Sequence, residues 1–275
     1  DERPREAPAP QPPPSAVDQP SVAQPLPPAE PTTTQNSEQK QPPALDGIDK
    51  SAINEKPDNR AWLATWPAST RLSYKLQGFF RGEFSGDARV QWQRNAERYQ
   101  AQVDVSVALL LNMRMTSQGR ITPAHLWPEA YEEDRRGKKR AARFGDQLLQ
   151  LDDGSTLPRP PQLQDAASQF VQLAQDFATG RRRLAVGETV RLTLGRPGGV
   201  DEWVYDVVAQ DTLPTPLGNL TAFHLKPRPL ANPRGKVTVD MWFAPALQHL
   251  PARIKLTLNE DTWLDLTLTG VAQSP

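Results

Sequence analysis

Between Tyr99 and Val107 apolar and polar residues alternate without a break. Tyr99, Ala101, Val103, Val105 and Val107 form one set, and Gln100, Gln102, Asp104 and Ser106 form the other. A period of two lays each set on one face of a β-strand, whereas a helix would scatter both around its circumference. The rhythm returns at Val237, Val239, Met241 and Phe243, then at Ile254, Leu256 and Leu258, then at Leu264, Leu266 and Leu268. These read as three successive strands, with turns expected at 244–249 and 259–261. Weaker strand patterns occupy 72–79, 88–93, 114–121, 126–132, 139–144, 189–194, 202–209 and 220–226.

One segment departs from this rhythm. Over 165–178 the apolar residues Ala166, Ala167, Phe170, Val171, Ala174 and Phe177 recur at three- and four-residue spacing, which predicts a single helical stripe. Asp165 is the expected N-cap, and Gly180 suits a left-handed terminator. Many short strands and one helix predict a mainly β fold: a strongly curved antiparallel sheet, a half-barrel or open barrel, wrapped on that helix.

The alternation begins only after a long segment of different character. Residues 1–58 are rich in Pro, Gln, Ser, Thr, Ala and Glu and contain no aromatic residue, and the whole chain of 275 residues has 29 prolines. Such a stretch cannot bury enough apolar surface to offset roughly 1–2 kcal/mol of backbone ordering per residue. A disordered linker over 1–58 and a folded domain over 61–272 are therefore expected. As a semi-extended spacer the linker reaches on the order of 100 Å. The numbering starts at Asp1 without a methionine. That start fits removal of a signal peptide or membrane anchor, and it fits an arbitrary boundary equally well.

Composition narrows the chemistry. The formal net charge of +0 supplies no global field to recruit nucleic acid or an anionic membrane. Zero cysteines removes disulfides, thiolate zinc sites and a thiol nucleophile. The longest apolar run, around Val107 to Leu111, is far short of the ~20 residues that span a bilayer. Any membrane contact would then pass through a segment preceding Asp1.

No catalytic constellation emerges. His125, His224 and His249 lie far apart without helical partners, so no metal site is expected. No G-x-S-x-G occurs, and Ser168 suits helix capping. Glu132, Glu133 and Asp134, like Asp152 and Asp153, are sequence neighbours beside Gly137 or Gly154, and strand neighbours point to opposite faces. They read as solvated hairpin tips. Two basic clusters, 135–140 and Arg181, Arg182 and Arg183, have the guanidinium chemistry that grips phosphate, a lipid head group or an acidic glycan. The first also suits a mixed-charge hairpin, and the second a helix C-terminus.

Four segments in order carry a family resemblance. Gln164-Asp165-Ala166-Ala167-Ser168 resembles the QDxxS step of the domain of unknown function 3108 family. Leu72, Tyr74, Gly82 and Gly86 resemble its first hairpin, and Thr215 to Leu220 resembles its TPxGxF turn. Trp242-Phe243-Ala244-Pro245 followed by Leu250 to Ile254 is similar to its VWxSPD…LPVRI hairpin. The resemblance implies an exported or envelope protein with a predominantly β fold and no established activity. Ala246 stands where the family has an acid and Leu220 where it has an aromatic, which argues against an acid-dependent role at that hairpin.

The resulting expectation is a non-enzymatic domain, periplasmic or exported, with an inner-membrane anchor preceding Asp1 as one option. On the concave face of its sheet it would bind a lipid-like or polymeric envelope component, an envelope glycan among them, or an envelope protein. Trp263 alternates opposite to Leu264, Leu266 and Leu268, which turns it outward or into a second cavity. The candidate ligand-binding residues are Trp242 and Trp263, the helix start at Asp165 and Ser168, and Arg181, Arg182 and Arg183; no cofactor is expected. The rivals are a hydrolase or glycan-modifying enzyme that assembles acids such as Asp165 and Asp240, and a scaffold without a ligand.

Overall fold

The computed structural model describes residues 67–95, 97–107, 111–230 and 237–274. The expected linker over 1–58, and Trp62 and Trp66 after it, lie outside the described residues. Fourteen strands form one antiparallel sheet in the order β8-β7-β6-β5-β4-β3-β2-β1-β14-β13-β12-β11-β10-β9. Strand β1 (Ser69–Phe80) is central, flanked by β2 (Glu83–Arg94) and by β14 (Thr262–Ser274). On one side follow β3 (Arg98–Val107), β4 (Leu111–Ile121), β5 (Leu126–Arg135) and β6 (Lys138–Phe144). On the other follow β13 (Leu250–Asn259), β12 (Thr238–Ala244), β11 (Gly218–Pro227), β10 (Gly199–Thr215) and β9 (Thr189–Arg196).

Every strand read from alternation is present. The three-residue strands β7 (Leu148–Gln150) and β8 (Thr156–Pro158) were not anticipated, because three residues are too few to display a period. The sheet curves until β6 approaches β9, but its edges do not close. Gln164 bridges the seam: its N–H donates to Thr193 O at 3.0 Å, and the Gly195 N–H donates to Gln164 O at 2.8 Å.

Helix α1 (Ser168–Ala178) lies inside this curve, and ten of its residues, from Ser168 through Phe177, are buried. Phe170, Val171, Leu173, Ala174 and Phe177 join the main core with Leu72, Tyr74, Leu76, Val90 and Trp92. Each fully buried large apolar side chain contributes roughly 1.5–3 kcal/mol, so this stripe is a major tie between helix and sheet. The helix starts three residues later than the stripe suggested, and its N-cap is Ala167, not Asp165. The Asp165 carboxylate instead closes the preceding turn, accepting the N–H groups of Ala167 (2.9 Å) and Ser168 (2.8 Å). Gly180 follows the helix at φ +71°, as expected of a terminator.

The two rims of the sheet differ. Ser69 pairs with Ser274, so the described chain enters and leaves at one rim, and α1 packs against that half of the concave face. The turns at 81–82, 136–137, 197–198 and 260–261 form the opposite rim.

Candidate functional site

Strand alternation carries apolar side chains along the concave face beyond the reach of α1. In β1 the buried series Leu72, Tyr74 and Leu76 continues to Gly78 and ends at Phe80, which is 48% exposed. In β13 the series from Ile254 runs to Leu256, Leu258 follows at the register shift between Thr257 and Asn259 and is 40% exposed, and Val237 just before β12 is 42% exposed. Phe84 of β2, Leu111 and Met113 of β4, Val239 of β12 and Leu264 of β14 are only partly buried at the same level. Strands β12-β13-β14-β1-β2-β3-β4 are consecutive in the sheet, so these residues make one apolar arc around the far mouth. A contiguous half-exposed apolar surface marks an interaction site, whereas single exposed apolar residues do not.

The other wall of the mouth is charged. Tyr131 and Ala142 are buried neighbours across β5 and β6, so the same face presents the pairs Glu133–Arg140 and Arg135–Lys138 further out. Arg196 and Asp201 of β9 and β10 complete this wall and form an ion pair. Glu133, Arg140, Arg196, Pro197 and Gly198 line a hollow of about 200 Å³. Under the helix, by contrast, the barrel is filled: the hollow among Leu72, Trp92, Phe170 and Leu250 measures about 20 Å³, room for one water molecule.

The residues singled out from sequence occupy other places and do not converge. Asp165 has no exposed surface; Ser117 Oγ donates to its Oδ2 at 2.5 Å, and the Asp165 N–H donates to Ser168 Oγ at 3.0 Å. Burial raises the Asp165 carboxyl to about 6, against the lowering effect of the hydrogen bonds from Ser117, Ser168 and Ala167. The expected anion site at this helix start is thus filled by the protein's own carboxylate. Arg181 donates to Ala124 O, Arg182 Nε donates to Asp176 Oδ2 at 2.9 Å, and Arg183 pairs with Glu188 at 3.4 Å. The triple arginine ties the loop after α1 to its surroundings. Beside it runs a polar cleft of about 540 Å³ along the seam, lined among others by Gln162, Gln172 and Arg191.

Trp242 and Trp263 lie on the face away from the helix, not on the concave face. Trp242 is 5% exposed, stacked on His224 with ring centroids 4.1 Å apart, and the Arg253 guanidinium lies 4.7 Å from its ring on the neighbouring strand. Its Nε1–H donates to Asp211 Oδ2 at 2.7 Å. Alternation placed Met241 and Phe243 in the core, and Trp242 necessarily faces the other way, into a second apolar cluster with Leu213, Leu220 and Ala252. Trp263 carries Lys255 over its ring at 5.7 Å and shares a hollow of about 360 Å³ with Gly78 and Phe84. Asp240 sits 2.7 Å from His224 Nε2 on this outer face, away from Asp165, so the two acids share no cleft. Burial lowers the pKa of His125 and His249, the nearby Arg159 and Arg181 adding to the effect at His125. Among the described residues no three His, Cys, Asp or Glu side chains are grouped to hold a metal ion.

Sequence reasoning missed the mouth. Leu258 belongs to an alternating run, whereas Phe80 and Phe84 lie just outside the runs at 72–79 and 88–93; their exposure depends on where the helix stops. Arg135 and Arg140 share the parity of Tyr131 and Ala142, a signal present once the β5–β6 register is known.

The fold is that of a barrel-like, mainly β domain with one enclosed helix. The chain belongs to the family described as Protein of unknown function (DUF3108), whose model matches residues 71–269. A similar solved structure is a beta-barrel-like protein of domain of unknown function DUF1849 from Brucella abortus, with 10% identity and TM-score 0.50, covering 76% of this chain and 99% of that one. Another is a DUF1329 family protein from Desulfovibrio piger, with 6% identity and TM-score 0.30, covering 78% of this chain and 88% of that one. The curated proteins contain no match.

Proposed function

We propose that this protein is a non-enzymatic binding domain of the cell envelope, held in the periplasm by its proline-rich N-terminal segment, whose ligand is lipid-like and enters the far mouth of the barrel. The observation that carries this reading is the apolar arc from Val237 and Leu258 through Phe80 and Phe84 to Leu111 and Met113, left open on the concave face beyond α1. Moving apolar surface out of water returns about 25 cal/mol per Å², so an arc of this extent favours an acyl chain over a sugar polymer. The sequence features that support an envelope location are the linker composition and the family motifs. A catalytic role lacks support, since Asp165 is enclosed beneath the sheet and Asp240 lies across it.

The full chain, delipidated and then mixed with phospholipid carrying brominated acyl chains, tests the reading. Bromine quenches indole fluorescence at short range, and Trp263 shares a hollow with Phe84 beside the mouth. Quenching that saturates with lipid is the expected result. No quenching, together with no phospholipid detected by native mass spectrometry, would overturn lipid binding. A reporter enzyme active only after export, fused to the C-terminus, tests the location: activity is expected, and its absence with the fusion protein intact rejects it.

A further inference from the structure

We infer that the ligand of the mouth is an amphiphile with an anionic head, and that Arg135 and Arg140 hold this head on the wall opposite the apolar arc. The inference rests on the lipid reading above and adds the head-group chemistry. Arg135 faces inward from the last residue of β5, and its Nη2 lies 3.9 Å from Met113 Sδ, where the charged wall meets the apolar arc. Neither Arg135 nor its partner across the hairpin, Lys138, forms an ion pair with a described carboxylate. Arg140, one inward position deeper, lines the hollow of about 200 Å³ with Arg196.

The charges decide what this wall accepts. Asp152 takes one edge of Arg140 through Nε at 3.3 Å, and Asp201 takes Arg196, but a guanidinium has five N–H donors in a planar fork and each retains others. Four cations, Arg135, Lys138, Arg140 and Arg196, stand against three acids, Glu133, Asp201 and the Asp152 that pairs with Arg140, which leaves an excess of one positive charge. Glu133 also accepts the Tyr131 hydroxyl at 3.0 Å. The excess of donors suits a phosphate or carboxylate, which guanidinium forks bind bidentately. Arg135 touches Met113 of the arc and lies two residues along β5 from Glu133 of the hollow, so one molecule can place its head and its chain at once. A zwitterionic head would bring its own cation against four others.

The experiment compares amphiphiles built on the oleoyl chain with the full-length protein: dioleoyl phosphatidylglycerol and dioleoyl phosphatidylcholine, equal in acyl composition, and the single-chain oleate, each by direct titration. Phosphatidylglycerol is expected to bind at least about tenfold more tightly than phosphatidylcholine, a preference that shrinks as salt rises. Arg135→Gln with Arg140→Gln should abolish the preference, costing phosphatidylglycerol more affinity than phosphatidylcholine, and leave the melting temperature unchanged, both side chains being exposed. Arg196 is kept because it neutralises Asp201, whose side chain is only 6% exposed. Oleate binding with the same dependence on the two arginines assigns the site to carboxylates as well as phosphates; oleate binding independent of them overturns the assignment. Equal affinity for both phospholipids, or a preference that survives the double substitution, also overturns it. Failure of every lipid to bind rejects the lipid reading itself.

Discussion

The Ser117 hydroxyl donates to Asp165 Oδ2 at 2.5 Å, which fastens a carboxyl group without exposed surface to the middle of β4. Tyr99 OH lies 3.0 Å from the same hydroxyl, so β3, β4 and the turn before α1 meet in one buried chain of polar groups. A buried polar network is stabilising only when every member has a partner, and here the carboxylate accepts three hydrogen bonds. The helix is thereby set into the concave face at its N-terminal end by polar contacts and along its length by apolar ones.

The Asp165 carboxyl makes stability depend on pH with a definite sign. Its pKa is raised from 3.8 to about 6 in the native state, so between these values the folded chain holds a proton that the unfolded chain has released. Stability from this group is therefore full below about pH 4, falls as pH rises through 6, and is level above that. The span corresponds to on the order of 3 kcal/mol. Asp165→Asn keeps an acceptor for the two backbone N–H groups and should flatten that slope. Urea unfolding of both proteins at pH 4.5 and 8 measures it; an identical slope in the variant would contradict the assignment.

Gly119 stands at the bulge between β4 and β5, where an added Cβ would lie 2.1 Å from Trp127 O. The obstacle is backbone on a paired strand, which cannot rotate aside. Gly119→Ala is expected to cost about 2–4 kcal/mol by strain and a displaced register. An unfolding free energy within about 0.5 kcal/mol of the parent in urea titrations would show that the β4–β5 register is not as described.

At the C-terminal end of α1, the Phe177 and Phe243 rings meet edge to face with centroids 5.2 Å apart and planes at 71°. Phe177→Ala leaves a cavity between helix and sheet and should destabilise by roughly 3–5 kcal/mol. Hydrogen exchange should then quicken in α1 ahead of β1 and β2. If the α1 amides kept their protection while stability fell, the cost would have to lie elsewhere than in the helix contact.

How far the sequence carries the fold can be traced through these residues. The alternation from Tyr99 to Val107 specifies β3 and its buried face, because a strand's side-chain period is fixed by its backbone. Phe170 and Phe177 likewise specify the stripe of α1. Register is less legible: that His224 and Arg253 flank Trp242 depends on three strands aligning across a bulge, which no local pattern encodes. The mouth is hidden for a related reason. Phe80 and Leu76 carry the same local signal, and only the length of a helix placed some ninety residues later separates the exposed one from the buried one.

Phe80 and Leu258 allow the mouth to be tested apart from the fold. They are 48% and 40% exposed, so replacing them gives up about half the burial of each, and Phe80→Ser with Leu258→Ser should lower stability by about 2–3 kcal/mol and leave the chain folded. Their loss removes two of the widest apolar surfaces of the arc and should weaken brominated-lipid quenching about tenfold, since a few well-placed side chains carry most of a binding energy. Arg135 and Arg140, on the opposite wall, are untouched in this variant, so whatever head-group preference remains should persist at the lower affinity. A variant that folds like the parent and binds lipid equally well would place the acyl chain outside the arc, and the outer hollow at Trp263 would then become the site to examine.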